Sequence, residues 1–261
     1  MNKVGILGCG WLGMPLAEKL ISLGYSVNGT STSELKKNLL NKLDANYFKI
    51  DLNNTDSNLR EFLVVDILII TIPPKLLNHS KALHNLVSEI NLSSVKKIIY
   101  TSSISVYGDQ KGVINEKNEL LPTRANAIQI AETEKILFKQ NNFTTTILRL
   151  GGLIGNNRHP AYHLAGKELK KPKEIINLIH LDDCIEVITK LIDINETENQ
   201  IYNLVNPFHP EKGDYYLECC NKLNLTPPVL IAQEKSRPKI ISSKKIINYL
   251  DYKFQNNIKI D

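Results

Sequence analysis

Residues 4–13 read VGILGCGWLG, and the helical stretch Met14 to Leu23 follows at once. Val4 to Leu7 is short, apolar and uninterrupted, the pattern of a strand buried on both faces. Beyond the glycines, Leu16, Leu20 and Leu23 fall at helical spacing, and Gly24 then stops the helix. A G-x-G-x-x-G string alone is weak evidence, but a strand before it and a helix after it make it strong. Gly8 permits the tight turn, Gly10 lets backbone approach a pyrophosphate, and Gly13 allows close packing of helix on strand. Trp11 and Leu12 complete the loop, and the helix N-terminus offers free N–H groups and a positive dipole to phosphates. The stretch predicts a dinucleotide site.

Outward from the loop, Tyr25 to Gly29 is a second strand. A carboxylate about 20 positions after the loop would hold a ribose 2′-hydroxyl. The chain has Thr30, Ser31 and Ser33 there, with Lys36 and Lys37 close behind. Hydroxyls and a lysine suit a 2′-phosphate, so the reading favours NADP as cofactor, with NAD as the alternative. Tyr47 to Leu52 is a third strand and Asp66 to Ile72 a fourth, closed by Pro73-Pro74, so that Thr71 and Pro73 border the cofactor. Lys97 to Thr101 and Thr144 to Leu150 are a fifth and a sixth, separated by a helix from about Arg124 to Gln140. Ser33 is a candidate cap for a helix over Glu34 to Leu43, and His79 to Ile90 carries one apolar face. Apolar strands alternating with helices imply an α/β fold: a Rossmann-type, doubly wound parallel sheet. Residues 1–155 and about 176–206 form its dinucleotide-binding domain. Residues 156–175 and 207–261 form a smaller C-terminal substrate subdomain.

With 261 residues, 42% hydrophobic and 23% charged, the composition excludes a disordered chain. The formal charge of +5 gathers late: residues 234–261 hold seven Lys or Arg against three Asp or Glu. There is no long basic run with interleaved aromatics, so no nucleic-acid partner is expected. The apolar runs fall far short of a membrane span, and residues 1–20 lack a signal-peptide pattern. No membrane partner is expected, and the location expected is cytoplasmic. Cys9, Cys184, Cys219 and Cys220 form no C-x-x-C pair, which fits a reducing compartment. Cys219 and Cys220 are expected to be one buried and one half-exposed thiol on a helix.

Thr101-Ser102-Ser103-Ile104-Ser105-Val106-Tyr107-Gly108 supplies a second motif. Together with the glycine loop, it resembles the extended short-chain dehydrogenase/reductase superfamily, the NAD-dependent epimerase/dehydratase group. Arg149 to Gly155, His180-Leu181-Asp182-Asp183 and Tyr202-Asn203-Leu204 are similar to later segments of that group. The resemblance implies that Asp51-Leu52 contacts adenine, that Ser102 lies beside the cofactor, and that Ser103 polarises a substrate oxygen. It also implies a Tyr and, four residues on, a Lys. Aligning Pro122 and Glu134 puts those positions at Asn126 and Ile130, so the chain resembles an atypical member without the Tyr-x-x-x-Lys dyad. Gly152 stands where sugar-nucleotide epimerases commonly carry a substrate-binding Asn, which weakens the case for a nucleotide sugar.

Asn126 takes no proton near neutral pH and Ile130 carries no charge, while a positioned general base contributes about 10²–10⁴ in rate. Ser103 and Tyr107 are therefore the candidate catalytic residues. The plainer readings are a strand-end hydroxyl satisfied by backbone and a packing phenol with its hydroxyl bonded. Arg124 reads as a solvated helix residue or as a contact to an anionic ligand. His159 and His163 are four apart, but Pro160 works against a two-ligand helical face, and no metal is expected. His180 and Asp183 read as a structural turn contact. Two functions stay open: an NAD(P)-dependent oxidoreductase or epimerase/dehydratase-like enzyme on a small polar substrate, or a non-catalytic NADP(H)-binding sensor. A homodimer is a further open alternative.

Overall fold

In the computed structural model the described residues are 3–52, 58–73, 80–155, 158–231, 237–255 and 258. The chain runs β1 (Lys3–Leu7), α1 (Gly13–Ser22), β2 (Ser26–Thr30), α2 (Glu34–Lys42), β3 (Asn46–Phe48), α3 (Leu59–Phe62), β4 (Ile67–Ile70) and α4 (Ser80–Asn91). It continues through β5 (Lys97–Ser103), β6 (Gly112–Ile114), α5 (Ala125–Phe138), β7 (Thr144–Leu150), β8 (Gly152–Ile154), α6 (Ala161–Leu164), β9 (Glu168–Lys170) and β10 (Leu178–His180). The last elements are α7 (Leu181–Asp193), β11 (Gln200–Leu204), α8 (Lys212–Lys222), β12 (Val229–Ile231), β13 (Lys239–Ile241) and α9 (Lys244–Leu250).

Seven strands form the main sheet in the order β11-β7-β5-β4-β1-β2-β3. The pairs β1–β2, β2–β3, β1–β4 and β4–β5 are parallel. The chain moves from β1 outward to β3, then returns to the other side of β1 to lay down β4. That reversal makes a crevice at the carboxyl ends of β1 and β4, where open α/β sheets take ligands. The fold is the doubly wound α/β sheet that the apolar strands imply.

The chain divides into two compact units: residues 1–106, 122–148 and 188–201, then residues 107–121, 149–187 and 202–261. This interleaving is finer than breaks at 155 and 206. In the first unit, α1 buries Gly13, Leu16, Ala17 and Leu20, and α4 buries Ala82, Leu83, Leu86, Val87 and Ile90. The third strand is shorter than Tyr47 to Leu52 because its one ladder partner among the described residues, β2, ends at Thr30, opposite Phe48. Asp51 and Leu52 consequently lie past the strand, and Pro74 and His79 fall outside the described residues.

A lysine begins β5 from inside the protein. Lys97 donates from Nζ to the carbonyls of Leu191 and, at 2.7 Å, Ile194, closing the C-terminal end of α7. Its Nζ also lies 3.8 Å from Glu196 Oε2, and both side chains are buried. Burial holds the ammonium below the usual lysine range, against the pull of Glu196.

The second unit is built from short parallel pairs: β8 with β10, β9 with β12 and β6 with β13. Its core gathers Ile154, Leu169, Leu178, Tyr215, Tyr216, Cys219 and Ile258. Cys219 and Cys220 are both buried, which corrects the expectation of one half-exposed thiol; two faces of α8 are covered here. His159 points into this core, whereas His163 is exposed. His159 Nδ1 accepts from the Ala161 N–H at 3.2 Å, which leaves the proton on Nε2. Nε2–H then donates to Tyr215 Oη at 3.0 Å, and Tyr215 donates onward to the Ile258 carbonyl at 2.6 Å. The turn contact expected between His180 and Asp183 is split. His180 Nδ1 accepts from the Asp182 N–H at 3.2 Å, while Asp183 Oδ1 accepts from Tyr252 at 2.7 Å and from the Gln255 N–H at 2.9 Å. Among the described residues no helix is long and apolar enough to cross a membrane, and no group of three or more His, Cys, Asp or Glu gathers as a metal site.

Two predictions test these cores. Lys97→Met leaves the buried Glu196 carboxylate its bond from the Thr146 hydroxyl but not its cation, and should cost about 3–5 kcal/mol in urea unfolding, with part recovered in Lys97→Met/Glu196→Gln. Equal stability of parent and single variant would contradict the role given to the pair. Burial lowers the pKa of His159, so the folded state favours neutral imidazole. Its contribution is complete above the ordinary value of about 6.5 and is lost as pH falls through and below that value. Stability should decline between about pH 7 and pH 5, and His159→Gln should flatten that slope while lowering stability at pH 8. A slope unchanged by the substitution would refute the assignment.

Candidate functional site

The turn after β1 is fixed from both sides by hydroxyls. Gly8 has φ +107°, a conformation that glycine alone adopts without strain. Its N–H donates to Thr30 Oγ1 at 2.8 Å, and its carbonyl accepts from Thr71 Oγ1 at 2.7 Å and from the Gly10 N–H at 2.7 Å. The Cys9 N–H donates to the Thr30 carbonyl at 2.8 Å. A Cβ on Gly13 would stand 2.3 Å from the Gly8 oxygen, so α1 starts hard against the turn. A Cβ on Gly10 would meet nothing nearer than that oxygen at 3.9 Å; this is the open face of the loop. Leu12 is buried at the N-cap of α1. No side chain caps the helix and no acidic residue enters its first turn, so its N-terminus keeps its positive character for an anion. Trp11 is half-buried on the same turn. The Cys9 thiol turns inward toward the Ile6 carbonyl, and burial pushes it up to about 12, so it is neutral packing. This cradle fits a pyrophosphate.

At the end of β2 the candidate 2′-phosphate ligands divide. Thr30 is buried and its hydroxyl is committed to the loop. Ser31 and Ser33 are half-buried at the strand end; Ser31 Oγ accepts from the Ser33 N–H at 3.1 Å. Ser33 stands at the N-cap of α2 without using its hydroxyl as a cap. Lys37 lies 3.6 Å from Glu34 and 5.8 Å from the Tyr47 ring centroid. Lys36 has no ion pair among the described residues, and its charge reaches the Cys9 thiol in the loop. Asp51 is exposed and Leu52 half-buried in the turn beyond β3.

On the other flank, Thr71 and Pro73 follow β4, Thr71 gripping the loop and Pro73 exposed. Ser102 and Ser103 end β5. The Ser102 hydroxyl donates to Glu134 Oε1, and both residues are buried. Ser103 Oγ accepts from the Ser105 N–H at 3.1 Å. That bond uses a lone pair and leaves its O–H proton free to donate. Asn126 is exposed near the start of α5, as is Arg124 at the N-cap position, where its side chain makes no capping bond, and Ile130 is buried at 7%. The two positions that the resemblance assigns to the dyad thus carry a solvated amide and a core side chain.

Within the second unit, Tyr107 is fully buried. Its Oη accepts from Arg149 Nη1 at 2.8 Å and donates to Asn203 Oδ1 at 2.7 Å, and the guanidinium carbon sits 5.0 Å from the ring centroid. Desolvation, the largest effect, raises the phenol's pKa against the lowering influence of Arg149. The geometry matches the plainer of the two readings of Tyr107, a bonded packing phenol. A Cβ on Gly152 would lie 2.8 Å from Leu178 Cδ2, so this position has no room for an asparagine unless Leu178 moves.

Three functional residues escaped the sequence reading in their present roles. Thr30 and Thr71 act on the loop from neighbouring strands, and only the register of β1 with β2 and β4 brings them there. Glu134 did leave a signal: it sits among Ala127, Ile130, Thr133 and Leu137 on the buried face of α5, where an unpartnered carboxylate would be costly.

A glycine cradle at the switch point of a doubly wound sheet defines a dinucleotide-binding α/β protein. Residues 4–204 match the NAD dependent epimerase/dehydratase family, and the chain belongs to that family. It is 32% identical to "Protein YeeZ" of Escherichia coli (strain K12) over 265 residues, covering 98% of this chain and 96% of that one. Among solved structures it resembles a functionally unknown conserved protein from Silicibacter pomeroyi DSS (TM-score 0.83, 20% identity, 98% and 94% of the two chains). It also resembles UDP-glucuronic acid 4-epimerase from Bacillus cereus in complex with NAD (TM-score 0.82, 17% identity, 98% and 92%).

Two of the three loop glycines separate folding from binding. Gly10→Ala should keep the parent's melting temperature and weaken dinucleotide binding by at least ten-fold, read from Trp11 emission. Gly13→Ala should lower stability by about 1–3 kcal/mol through the clash with Gly8. Intact binding by Gly10→Ala would show that no ligand approaches this face.

Proposed function

We propose that this chain binds NADP(H) in preference to NAD(H). In this reading it acts as an oxidoreductase or epimerase-like enzyme on a small polar substrate. The observation that carries the reading is the doubly clamped Gly8 turn with an open face at Gly10, a geometry with no evident use except backbone approach by a pyrophosphate. Lys36, with Ser31 and Ser33 beside it, supports the 2′-phosphate; Thr30 contributes by shaping the loop instead. Bound nicotinamide would supply hydride exchange with a carbinol or carbonyl carbon. Ser103, with its oxygen held by the Ser105 N–H, would donate its proton to the substrate oxygen and orient it. The proton that accompanies hydride transfer needs a further carrier, because Asn126 and Ile130 have no group for it and Tyr107 is bonded at both ends. The substrate itself, or water ordered at Ser103, fills that role in this reading. Cysteines buried as thiols fit a cytoplasmic setting.

The bonded state of Tyr107 favours a second reading, a protein that binds NADP(H) without turnover and signals cofactor state to a partner.

Calorimetry with NADP⁺ and NAD⁺ tests the cofactor assignment. One or two charge-assisted hydrogen bonds should give NADP⁺ an advantage of about ten-fold or more. Lys36→Glu should abolish or reverse it. Equal affinities in the parent, unmoved by that substitution, would remove the preference. Single-turnover reduction of bound NADP⁺ across a panel of carbinols, with and without Ser103→Ala, tests the chemistry. Loss of reduction in Ser103→Ala supports the enzyme; no reduction by the parent with any carbinol supports the sensor.

A further inference from the structure

Ser31, the first residue after β2, is held at three points. Its N–H donates to the Phe48 carbonyl at 3.3 Å, one residue past the last pair of the ladder, Thr30 and Phe48. Its carbonyl accepts from the Tyr47 hydroxyl at 2.9 Å. Its Oγ accepts from the Ser33 N–H at 3.1 Å. Among the described residues the hydroxyl proton of Ser31 has no acceptor. The strand end is thus fixed while a donor at its tip is unspent, the arrangement of a preorganised ligand contact.

Tyr47 reaches Ser31 because of what lies opposite it. In the ladder it pairs with Gly29, and paired residues on neighbouring strands send their side chains to the same face. On that face a Cβ at Gly29 would lie 2.9 Å from Cys9 Sγ and 2.9 Å from Leu40 Cδ2, so it is the face that α2 covers. The phenol runs forward on the α2 side of the sheet to the carbonyl of Ser31, two residues beyond Gly29. Lys37 of α2 stands over its ring, with Nζ 5.8 Å from the centroid. Burial first, then the charge of Glu34, raise the pKa of the phenol, so its hydroxyl stays protonated and remains a donor at neutral pH. A phenylalanine would keep the ring against Lys37. What the hydroxyl adds is the bond to Ser31.

We propose that Tyr47 is a positioning residue that sets the preference for NADP(H), by holding Ser31 so that its hydroxyl donates to the 2′-phosphate. The inference rests on the NADP(H) reading of the site and adds to it the residue through which the end of β2 becomes selective. The neighbouring Thr30 hydroxyl is committed to the Gly8 N–H, so Ser31 makes the contact. A ribose without the phosphate gains less from a donor fixed there, because a hydroxyl is a weaker acceptor than a charged phosphate oxygen.

The test uses the full chain and its Tyr47→Phe, Ser31→Ala and Tyr47→Phe/Ser31→Ala variants. Calorimetry gives the affinities for NADP⁺ and NAD⁺, with 2′,5′-ADP and AMP as the matching adenosine probes. Tyr47→Phe should bind NADP⁺ and 2′,5′-ADP about three- to ten-fold more weakly, and NAD⁺ and AMP as the parent does. Ser31→Ala should show the same selective loss, and the double variant should lose little beyond it, because Tyr47 acts through Ser31. Equal weakening of all four ligands with a lower melting temperature marks a tyrosine that only packs β3, and overturns the proposal. An unchanged NADP⁺ to NAD⁺ ratio in Tyr47→Phe overturns it too and leaves the NADP(H) reading standing. Ser31→Ala without a selective loss, or fully additive losses in the double variant, also overturn it. A parent with equal affinities for the two dinucleotides removes the NADP(H) reading, and the role of Tyr47 with it.

Discussion

The carbonyl of Gly8 is the constraint on which the rest of the first unit depends. It lies so close to Gly13 that no side chain fits there, and it is held by the Thr71 hydroxyl from β4 while the Gly8 N–H is held by Thr30 from β2. One residue, through the two peptide groups that flank it, thus ties three neighbouring strands at their carboxyl ends and fixes where α1 begins. Hydroxyl-to-backbone bonds of this kind add only about 1 kcal/mol each to stability. Their larger effect is geometric. They hold a left-handed residue at a point where the chain must turn sharply and leave backbone exposed, and Gly10 is the residue left uncovered.

Polar groups buried elsewhere act in a similar way, as fixed points at the ends of apolar strands. Glu134 holds Ser102, so the end of β5 is positioned from α5, and Ser103 next to it is presented with its oxygen already engaged. In the second unit, Asn203 joins separate segments: it accepts from Tyr107, donates from its side chain to the Ser242 carbonyl at 3.1 Å and from its backbone to Glu116 at 2.8 Å. Arg149 is accommodated in the same network by the face and hydroxyl of Tyr107. A phenol that satisfies an arginine and an asparagine at once is costly to move, and that is the physical reason for reading Tyr107 as structure.

The sequence made β1, its glycine loop and α1 legible because all three signals are local: an apolar run, glycines at fixed offsets, and leucines at helical spacing. The helix after Pro122 was legible too, at Arg124 to Gln140 against an observed Ala125–Phe138. What local pattern does not carry is partnership across the chain. β6 pairs with β13, more than a hundred residues away, and each is three residues long, too short for any periodicity. β3 ends where its neighbour ends, a limit set by β2 and invisible in Tyr47 to Leu52. Thr30 was legible as a residue at the cofactor turn. Its commitment to the Gly8 N–H was not, because that depends on register.

The two flanks of the first unit's crevice differ in the side chains they carry. On the β1–β2 flank every group suited to a phosphate is present: the open turn, the uncapped helix, and Lys36 without an ion pair among the described residues. On the β5 flank the strand end and its serines remain, but α5 offers Ile130 to the core and Asn126 to water. A lysine at 130 would have to lead its charge out of an apolar helix face, with desolvation opposing it unless a bound ligand compensates. Isoleucine removes that cost and brings no charge to this flank. The groups left on this flank are uncharged. The Asn126 amide can hydrogen-bond a hydroxyl, but it transfers no proton near neutral pH. A phosphate-suited flank and an uncharged flank are therefore compatible in one crevice, because they depend on different strands of the same sheet.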